Sequence, residues 1–498
     1  MSKTIRLLSL LLALLMVVSA FAACGQNTED PGKESGSTTG AVAEEVTDPV
    51  EDALNALRGE VDWGGNDFGI IYVNDIGGYT EEVEAEPENG DETGSGVIND
   101  AVFERNTLFE EYCNLNFVLV PTPNPSIGSA IMAEVQTGTG DFHLITTTAD
   151  TAARNATSGY LYNYLDLDID LEQDWWDAGT LDFALDGRVF FMDGSFNIVD
   201  DDVTFVFMFN KELRAEYQIA NPYDTVKAGD WTLDLEHFNS IVKELATENG
   251  DGKWDEKDTY GFSSPGSIGN TFFYGAGLQY VVNNREMDTP ELVLSAKMEQ
   301  ALNVLELART IIHDNNSSYV AAQGQEGVSK EIFVQGRSLF YCEAASYLRS
   351  LNATMDREYG VVPVPKYDKA QANYTTWRHS IGSTLSIPTS VARNDMEQFS
   401  MVLETYTLLS QKLVRPAYYD TMLTTRNVQD VESSEMLDLI FLNRTYDMAM
   451  YFTDLGFNGL FEQAALNSGN TFASSYQANS KRFDRQIANI LRKLQNPR

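Results

Sequence analysis

The sequence predicts an α/β fold whose sheet is parallel in large part. Two observations carry this. From residue 67 onward, short runs of apolar, β-branched and aromatic residues alternate with segments of helical periodicity, the order that builds βαβ units. The chain has 498 residues and is 43% hydrophobic, enough apolar material for a large core and for at least two domains.

The elements follow in order. Residues 67–73 (DFGIIYV) read as a buried strand. Residues 81–92, acidic and without an aromatic, read as a loop. Helix is expected over 102–112 and 127–137, and strand over 115–120 and 141–147. Residues 296–315 place Met298, Leu302, Leu305 and Ile312 on one helical face. Asn394-Asp-Met-Glu397 has the form of a capping box, opening a helix to Leu413 with Phe399, Val402, Tyr406 and Leu409 as its stripe. A terminal helix is expected over 476–494, and no internal repeat is visible.

Composition excludes several classes. Six Trp, 23 Tyr and 26 Phe exclude wholesale disorder. A net charge of −40, from 34 Lys+Arg against 74 Asp+Glu, repels phosphates and argues against nucleic acid as a partner. Three Cys are too few for a disulfide scaffold. One long apolar run, at the N-terminus, excludes a polytopic membrane protein.

That run has the form of a secretion signal. Lys3 and Arg6 precede an apolar stretch over 7–23, and small residues Ala22-Ala23 stand before Cys24. The junction resembles a bacterial lipobox, which implies that 1–23 is a signal peptide and that Cys24 is lipidated. The alternative is plain secretory cleavage with an incidental Cys. Residues 24–58 then read as the lipidated Cys and a tether, rich in Gly, Ser, Thr and acids.

Six segments, in one order, resemble the bacterial extracellular solute-binding proteins of family 1, the receptor lipoproteins of ABC importers. They are Gly140-Asp-Phe-His-Leu-Ile145, Gly187-Arg-Val-Phe-Phe-Met192, the run from Val203 to Leu213, Gly229-Asp-Trp-Thr-Leu-Asp234, the run from Phe333 to Phe340, and Tyr359-Gly-Val-Val-Pro-Val-Pro-Lys366. The resemblance implies a type II, periplasmic-binding-protein-like fold: two hinge-linked α/β lobes with a ligand cleft between them. Lobe 1 would comprise 59–203 and return over 376–410, lobe 2 would comprise 204–375, and 411–498 would complete them with helices. It also implies a sugar or oligosaccharide as cargo, ABC permease subunits as partners, a monomer, and a place on the outer face of the cell membrane. A non-sugar solute such as a peptide or polyamine, or a glycan-binding role without a transporter, stays open.

A sugar site needs flat aromatics for stacking and polar side chains for hydroxyls. By position in the resemblance, Thr148 and Asp150 follow a cleft strand. Asp201 and Asp202, in the run Asp200–Asp202, stand at the mouth of the cleft or form a solvated turn. Asn270 and Tyr274 are expected in lobe 2, and Tyr347 beyond the 333–340 segment. Trp377 and Arg378 fall beside the hinge, and Trp63 and Asn74 flank the first strand. Trp231 reads as packing, and so do Trp175 and Trp176.

Residues 247–258 resemble an EF-hand loop, with Asn249, Asp251, Asp255 and Asp258 as candidate ligands of a structural calcium. Thr247 stands where Asp is usual, and the alternative is a turn held by its own side chains. Cys113 and Cys342 are expected as buried free thiols. The chain has no Gly-x-Ser-x-Gly, His-Glu-x-x-His or P-loop, and its four His are scattered, so a binder rather than an enzyme is expected, with no required cofactor.

Overall fold

The computed structural model describes residues 49–57, 61–85, 95–233, 238–266, 268–285, 289–313, 316–322, 324–391, 396–423, 431–467 and 471–495. The signal run, Cys24 and the expected tether up to residue 48 lie outside them; the end of the stretch expected as tether is instead the helix Pro49–Ala56, anchored by the buried Leu54.

Strands β1 (Asp67–Val73), β2 (Asn116–Thr122), β3 (Leu144–Thr148) and β4 (Phe191–Met192) come first. Next are β5 (Phe205–Asn210), β6 (Tyr260–Ser264), β7 (Val281–Asn284), β8 (Thr289–Leu292), β9 (Ser318–Val320), β10 (Ser338–Ala344) and β11 (Tyr359–Val362). Then follow β12 (Thr376–Trp377), β13 (Ser383–Ser386) and β14 (Arg444–Thr445).

Two five-stranded sheets result, in the orders β2-β1-β3-β13-β4 and β11-β5-β10-β6-β9. Both are mixed, half of their pairings parallel and half antiparallel, where the sequence predicts a sheet parallel in large part. β13 runs against β3 and β4, and β5 runs against β10 and β11. The cause is the path of the chain. It leaves the first sheet after β4 and enters the second through β5, then returns through β12 into β13. A strand that enters a sheet straight from the crossing starts where the resident parallel strands finish, so it must run the other way. The registers show it: Ser383 opens β13 opposite Thr148, the last residue of β3, and Phe205 opens β5 opposite Ala344, the last residue of β10.

Each sheet buries both faces, as strands covered by helices must. On β1, Phe68, Ile70 and Tyr72 enter one core while Ile71 and Val73 enter another. On β5, Val206 and Met208 take one side while Phe205, Phe207 and Phe209 take the other. Trp231 is buried, and its Nε1 donates to Pro363 O at 2.7 Å.

Helix faces are set by small residues as well as large ones. On Met298–His313 the buried positions are Ala301, Val304, Leu305, Ala308, Ile311 and Ile312, so Met298 and Leu302 lie at the edge of the face. The Met396–Leu409 helix buries Phe399, Val402, Tyr406 and Leu409 as expected; two residues of its capping box, Asn394 and Asp395, lie outside the described residues. It does not stop at Leu413. A π-turn over Ser410–Val414 carries the helix on into Arg415–Leu423, with Pro416 just beyond the widened turn. The terminal helix, Phe472–Gln495, buries Phe472, Tyr476, Phe483, Ile487, Ile490 and Leu494 at spacings of three, four and seven, and Asn479 fills the seven-residue gap.

The acidic stretch after β1 begins as structure rather than loop. Tyr79–Val83 is helical and Glu82 is buried. Glu82 Oε2 accepts from Ile198 N at 2.8 Å, Val199 N at 3.1 Å and Ser383 Oγ at 2.9 Å, so one carboxyl fastens both crossing segments. Burial pushes it up to about 8.

Candidate functional site

The parallel strands of both sheets turn their C-terminal ends toward the crossings. In open α/β sheets that is where ligands sit, because helices start there and leave the strand ends uncovered. Tyr79 Oη donates to Ile381 O at 2.7 Å, and Ala149 N donates to Gly382 O at 3.1 Å, which joins the ends of β1 and β3 to the second crossing. Ala345 N donates to Thr204 O at 2.8 Å, which joins the end of β10 to the first.

Several polar groups gather at these ends. Asn74 is exposed just beyond β1. Thr148 Oγ1 donates to Asp150 Oδ1 at 2.6 Å, and Arg154 Nη1 donates to Asp150 Oδ2 at 2.7 Å. The Arg154 side chain is 57% exposed, so its charge stays open to a ligand. His379 lies within the field of Asp150, yet burial holds it below the usual His range. From the second sheet come Glu343, pushed up to about 7 by burial, and Tyr347, whose ring faces Lys330 Nζ at 5.5 Å. Carboxyl, guanidinium, imidazole, hydroxyl and a phenol ring can hydrogen-bond and stack on a neutral polar solute. Among these groups none is a nucleophile set against a base.

The remaining expected site residues are placed elsewhere. Trp63 lies at the opposite end of β1, its Nε1 donating to Asp67 O at 3.2 Å and its ring edge-on to Phe68. Asp201 and Asp202 form neither a solvated turn nor an open cleft mouth. They are buried in a four-residue helix, Val199–Asp202, and held by arginines. Arg444 Nη1 contacts Asp200 Oδ2 at 2.9 Å and Asp201 Oδ1 at 2.7 Å, and Arg415 reaches Asp201 at 3.3 Å. Arg349 takes Asp202, whose second oxygen accepts from Tyr418 Oη at 2.9 Å. Desolvation raises Asp200, and it pushes Asp202 up to about 6.

Trp377, Tyr274 and Arg378 are core. Trp377 stacks on Phe205 at 5.0 Å and on Tyr274 at 5.7 Å, and its Nε1 donates to Thr271 Oγ1 at 3.1 Å. Arg378 is fully buried, with Nη2 at 2.6 Å from Asp193 Oδ2 in a charge contact that lacks hydrogen-bond alignment. The segment after β14 covers this region. Asp447 Oδ2 accepts from Tyr274 Oη at 3.3 Å, and Glu462 Oε2 accepts from Asn270 N at 2.7 Å, leaving Asn270 buried. No motif in 446–466 signals that role; only its density of Tyr, Phe and Met does. His379 escaped sequence reasoning because only the second crossing brings it near Asp150; Arg154 lies one helical turn after Asp150 and was legible as its i,i+4 partner.

The 247–258 loop does not fit calcium. Asp258 accepts from Asn249 N at 2.8 Å and from Asp255 N at 2.7 Å, while Asn249 Oδ1 accepts from Asp251 N at 3.1 Å. Asp251 and Asp255 likewise accept from Lys253 N and Lys257 N, each at 2.9 Å. The side chains cap the turn instead of converging, and among the described residues no group of three or more His, Cys, Asp or Glu is arranged to hold a metal. Cys113 and Cys342 are buried free thiols.

No protein-family model matches the chain, and no curated protein matches it. Solved structures do. UgpB from Mycobacterium tuberculosis, in complex with glycerophosphocholine, is 16% identical at a TM-score of 0.54, over 85% of this chain and 99% of that one. A cyclo/maltodextrin-binding protein complexed with maltotetraose is 11% identical at a TM-score of 0.54, over 86% and 97%. An ABC substrate-binding protein from Listeria monocytogenes, in complex with cycloalternan, is 14% identical at a TM-score of 0.51, over 85% and 99%. At these identities the likeness shows the fold: a two-lobe, periplasmic-binding-protein-like α/β architecture.

Proposed function

We propose that this protein is the substrate-binding lipoprotein of an ABC importer, capturing a sugar or oligosaccharide between its lobes and delivering it to a permease. The observation that carries the reading is the convergence of both sets of strand ends on the crossings, with Thr148, Asp150 and Arg154 on one side and Glu343 and Tyr347 on the other. Neighbours of this fold crystallised with cycloalternan and with maltotetraose support a carbohydrate. In this reading Asn74, Thr148, Asp150 and His379 meet sugar hydroxyls, Tyr347 stacks on a ring, and Glu343 closes from lobe 2. Lobe 1 (59–203 and 376–410) and lobe 2 (204–375), completed by 411–498, swing about the crossings. Lipid on Cys24 holds the monomer at the outer face of the cell membrane, and no catalytic step is involved.

A second reading has one observation in its favour: the fold neighbour crystallised with glycerophosphocholine shows that the architecture also takes a non-sugar solute. A thermal-shift screen of the mature chain separates the two, since a ligand of the folded state adds about 2.7 kcal/mol at roughly a hundred times its dissociation constant. A rise with one glycan family, weakened about tenfold in affinity by Asp150→Ala, is the expected result. A rise only with peptides, polyamines or phosphodiesters overturns the sugar assignment.

A further inference from the structure

At the end of β10 one carboxyl has no counterion. Glu343 is 7% exposed, and its Oε1 accepts from Ala344 N at 2.9 Å. Its Oε2 has no partner among the described residues. Unlike the enclosed, unpaired oxygens of Asp193, that atom keeps accessible surface. The direction of the opening follows from its neighbours. Tyr341, two residues earlier on the same face of β10, has its Oη sealed in. Beyond Glu343 two helices begin, Glu326–Val334 and Ser346–Thr354, and both Glu326 and Tyr347 lie within its field. Oε2 therefore opens at the strand end, toward the crossings.

The charge around it is one-sided. Burial pushes Glu343 up to about 7, Glu326 adds to the rise, and no cation acts on it. Lys330, on the same wall, donates instead to Ser350 Oγ at 3.0 Å and faces the Tyr347 ring. On the facing wall Arg154 is balanced by Asp150 at 2.7 Å, and the exposed Asp75 adds a carboxyl beyond β1. A ligand hydroxyl can donate to Oε2, but it leaves a partly desolvated charge uncompensated. An ammonium supplies the donor and the countercharge together. An anion is repelled by Glu343 and Glu326 alike. The net charge of −40 draws a cation toward the chain as a whole.

We propose that Glu343 is a subsite for an ammonium group, so that the cargo is an amine-bearing cation rather than a neutral solute. This rests on the reading of the strand ends as the cargo site; within the carbohydrate reading, the cargo is an amino sugar.

The test is calorimetric titration of the mature chain at neutral pH with matched amine and neutral ligands. The pairs are glucosamine against glucose, and de-N-acetylated against N-acetylated chitin oligosaccharides; putrescine serves as an amine without a sugar ring. An amine is expected to bind about tenfold more tightly than its neutral partner. Glu343→Gln keeps an acceptor for Ala344 N and removes that preference. Its ligand-free melting temperature stays unchanged or rises, because a desolvated carboxyl has gone, so the loss is not unfolding. Glu326→Gln, farther along the same wall, weakens the amine about threefold and leaves neutral ligands alone. Binding of neutral glycans alone, indifferent to Glu343→Gln, overturns the inference and leaves the sugar reading intact. Binding of putrescine alone, lost in Glu343→Gln, sinks the sugar reading and keeps the ammonium subsite. No heat with any amine overturns the inference, and so does amine binding that Glu343→Gln leaves untouched.

Discussion

Arg349 Nη1 stands 2.7 Å from Glu81 Oε2, joining the helix that follows β10 in the second sheet to the helix that follows β1 in the first. The same guanidinium holds Asp202 and lies 5.8 Å from the centre of the Tyr418 ring. Both partners of the 2.7 Å pair are 22% exposed, so water screens it only partly. Arg349→Ala is expected to cost about 1–3 kcal/mol and to let the lobes part. Small-angle scattering of the ligand-free protein should show a larger radius of gyration than wild type, and Glu81→Gln a smaller change of the same sign. Identical scattering curves would refute the tie.

Arg444 neutralises three carboxylates, on Asp177, Asp200 and Asp201. Arg444→Met leaves buried charge without a counterion and is expected to destabilise by about 3–5 kcal/mol in urea denaturation. Arg444→Lys should recover only part of that, because one ammonium cannot present a planar fork to several acids. A near-neutral Met variant would mean that the acids protonate freely.

Stability should fall as pH rises above the ordinary glutamate range. Glu82 sits at about 8 in the folded protein, and Glu343 and Glu462 at about 7, all raised by burial. Between the unfolded and folded values the folded state binds more protons, so the stability curve slopes downward over that window. Glu82→Gln keeps an acceptor for Ile198 N and Val199 N without the proton. It should flatten the slope by up to about 1.4 kcal/mol per pH unit between pH ~5 and ~8. A wild-type curve that rises through this window would contradict the assignment.

Calcium should do nothing to the 247–258 loop. Melting temperature is expected to be the same in calcium and in EGTA. Asp258→Ala should cost about 1–2 kcal/mol in either, since Asn249 N and Asp255 N lose their acceptor. A calcium-dependent rise abolished by that substitution would restore the metal reading.

The strands were legible because their apolar runs are short and bounded: β1 coincides with 67–73, and both of its faces are buried. Strand direction was not legible. Pairing of β13 with β3 spans more than two hundred residues, and nothing local to either run records it. Sequence position placed Thr148 and Asp150 at a strand end, where the structure also has them. It failed at Trp377, Tyr274 and Arg378, where the fate of a side chain depends on what covers it. That cover is residues 446–466, distant in sequence and free of motifs. Asp200–Asp202 show the same limit: an acidic run usually faces water, and here it is buried against three arginines from two remote helices and β14.

The place of β13 bears on synthesis and export. β4 joins the first sheet only through β13, whose residues are made almost two hundred positions later. A nascent chain halted anywhere before Ser383 can assemble β2, β1 and β3 but must leave β3 as an open edge and β4 unpaired. Completion of the first lobe therefore waits on the second, and the stretch that ends at β4 could not be expressed alone as a finished first sheet.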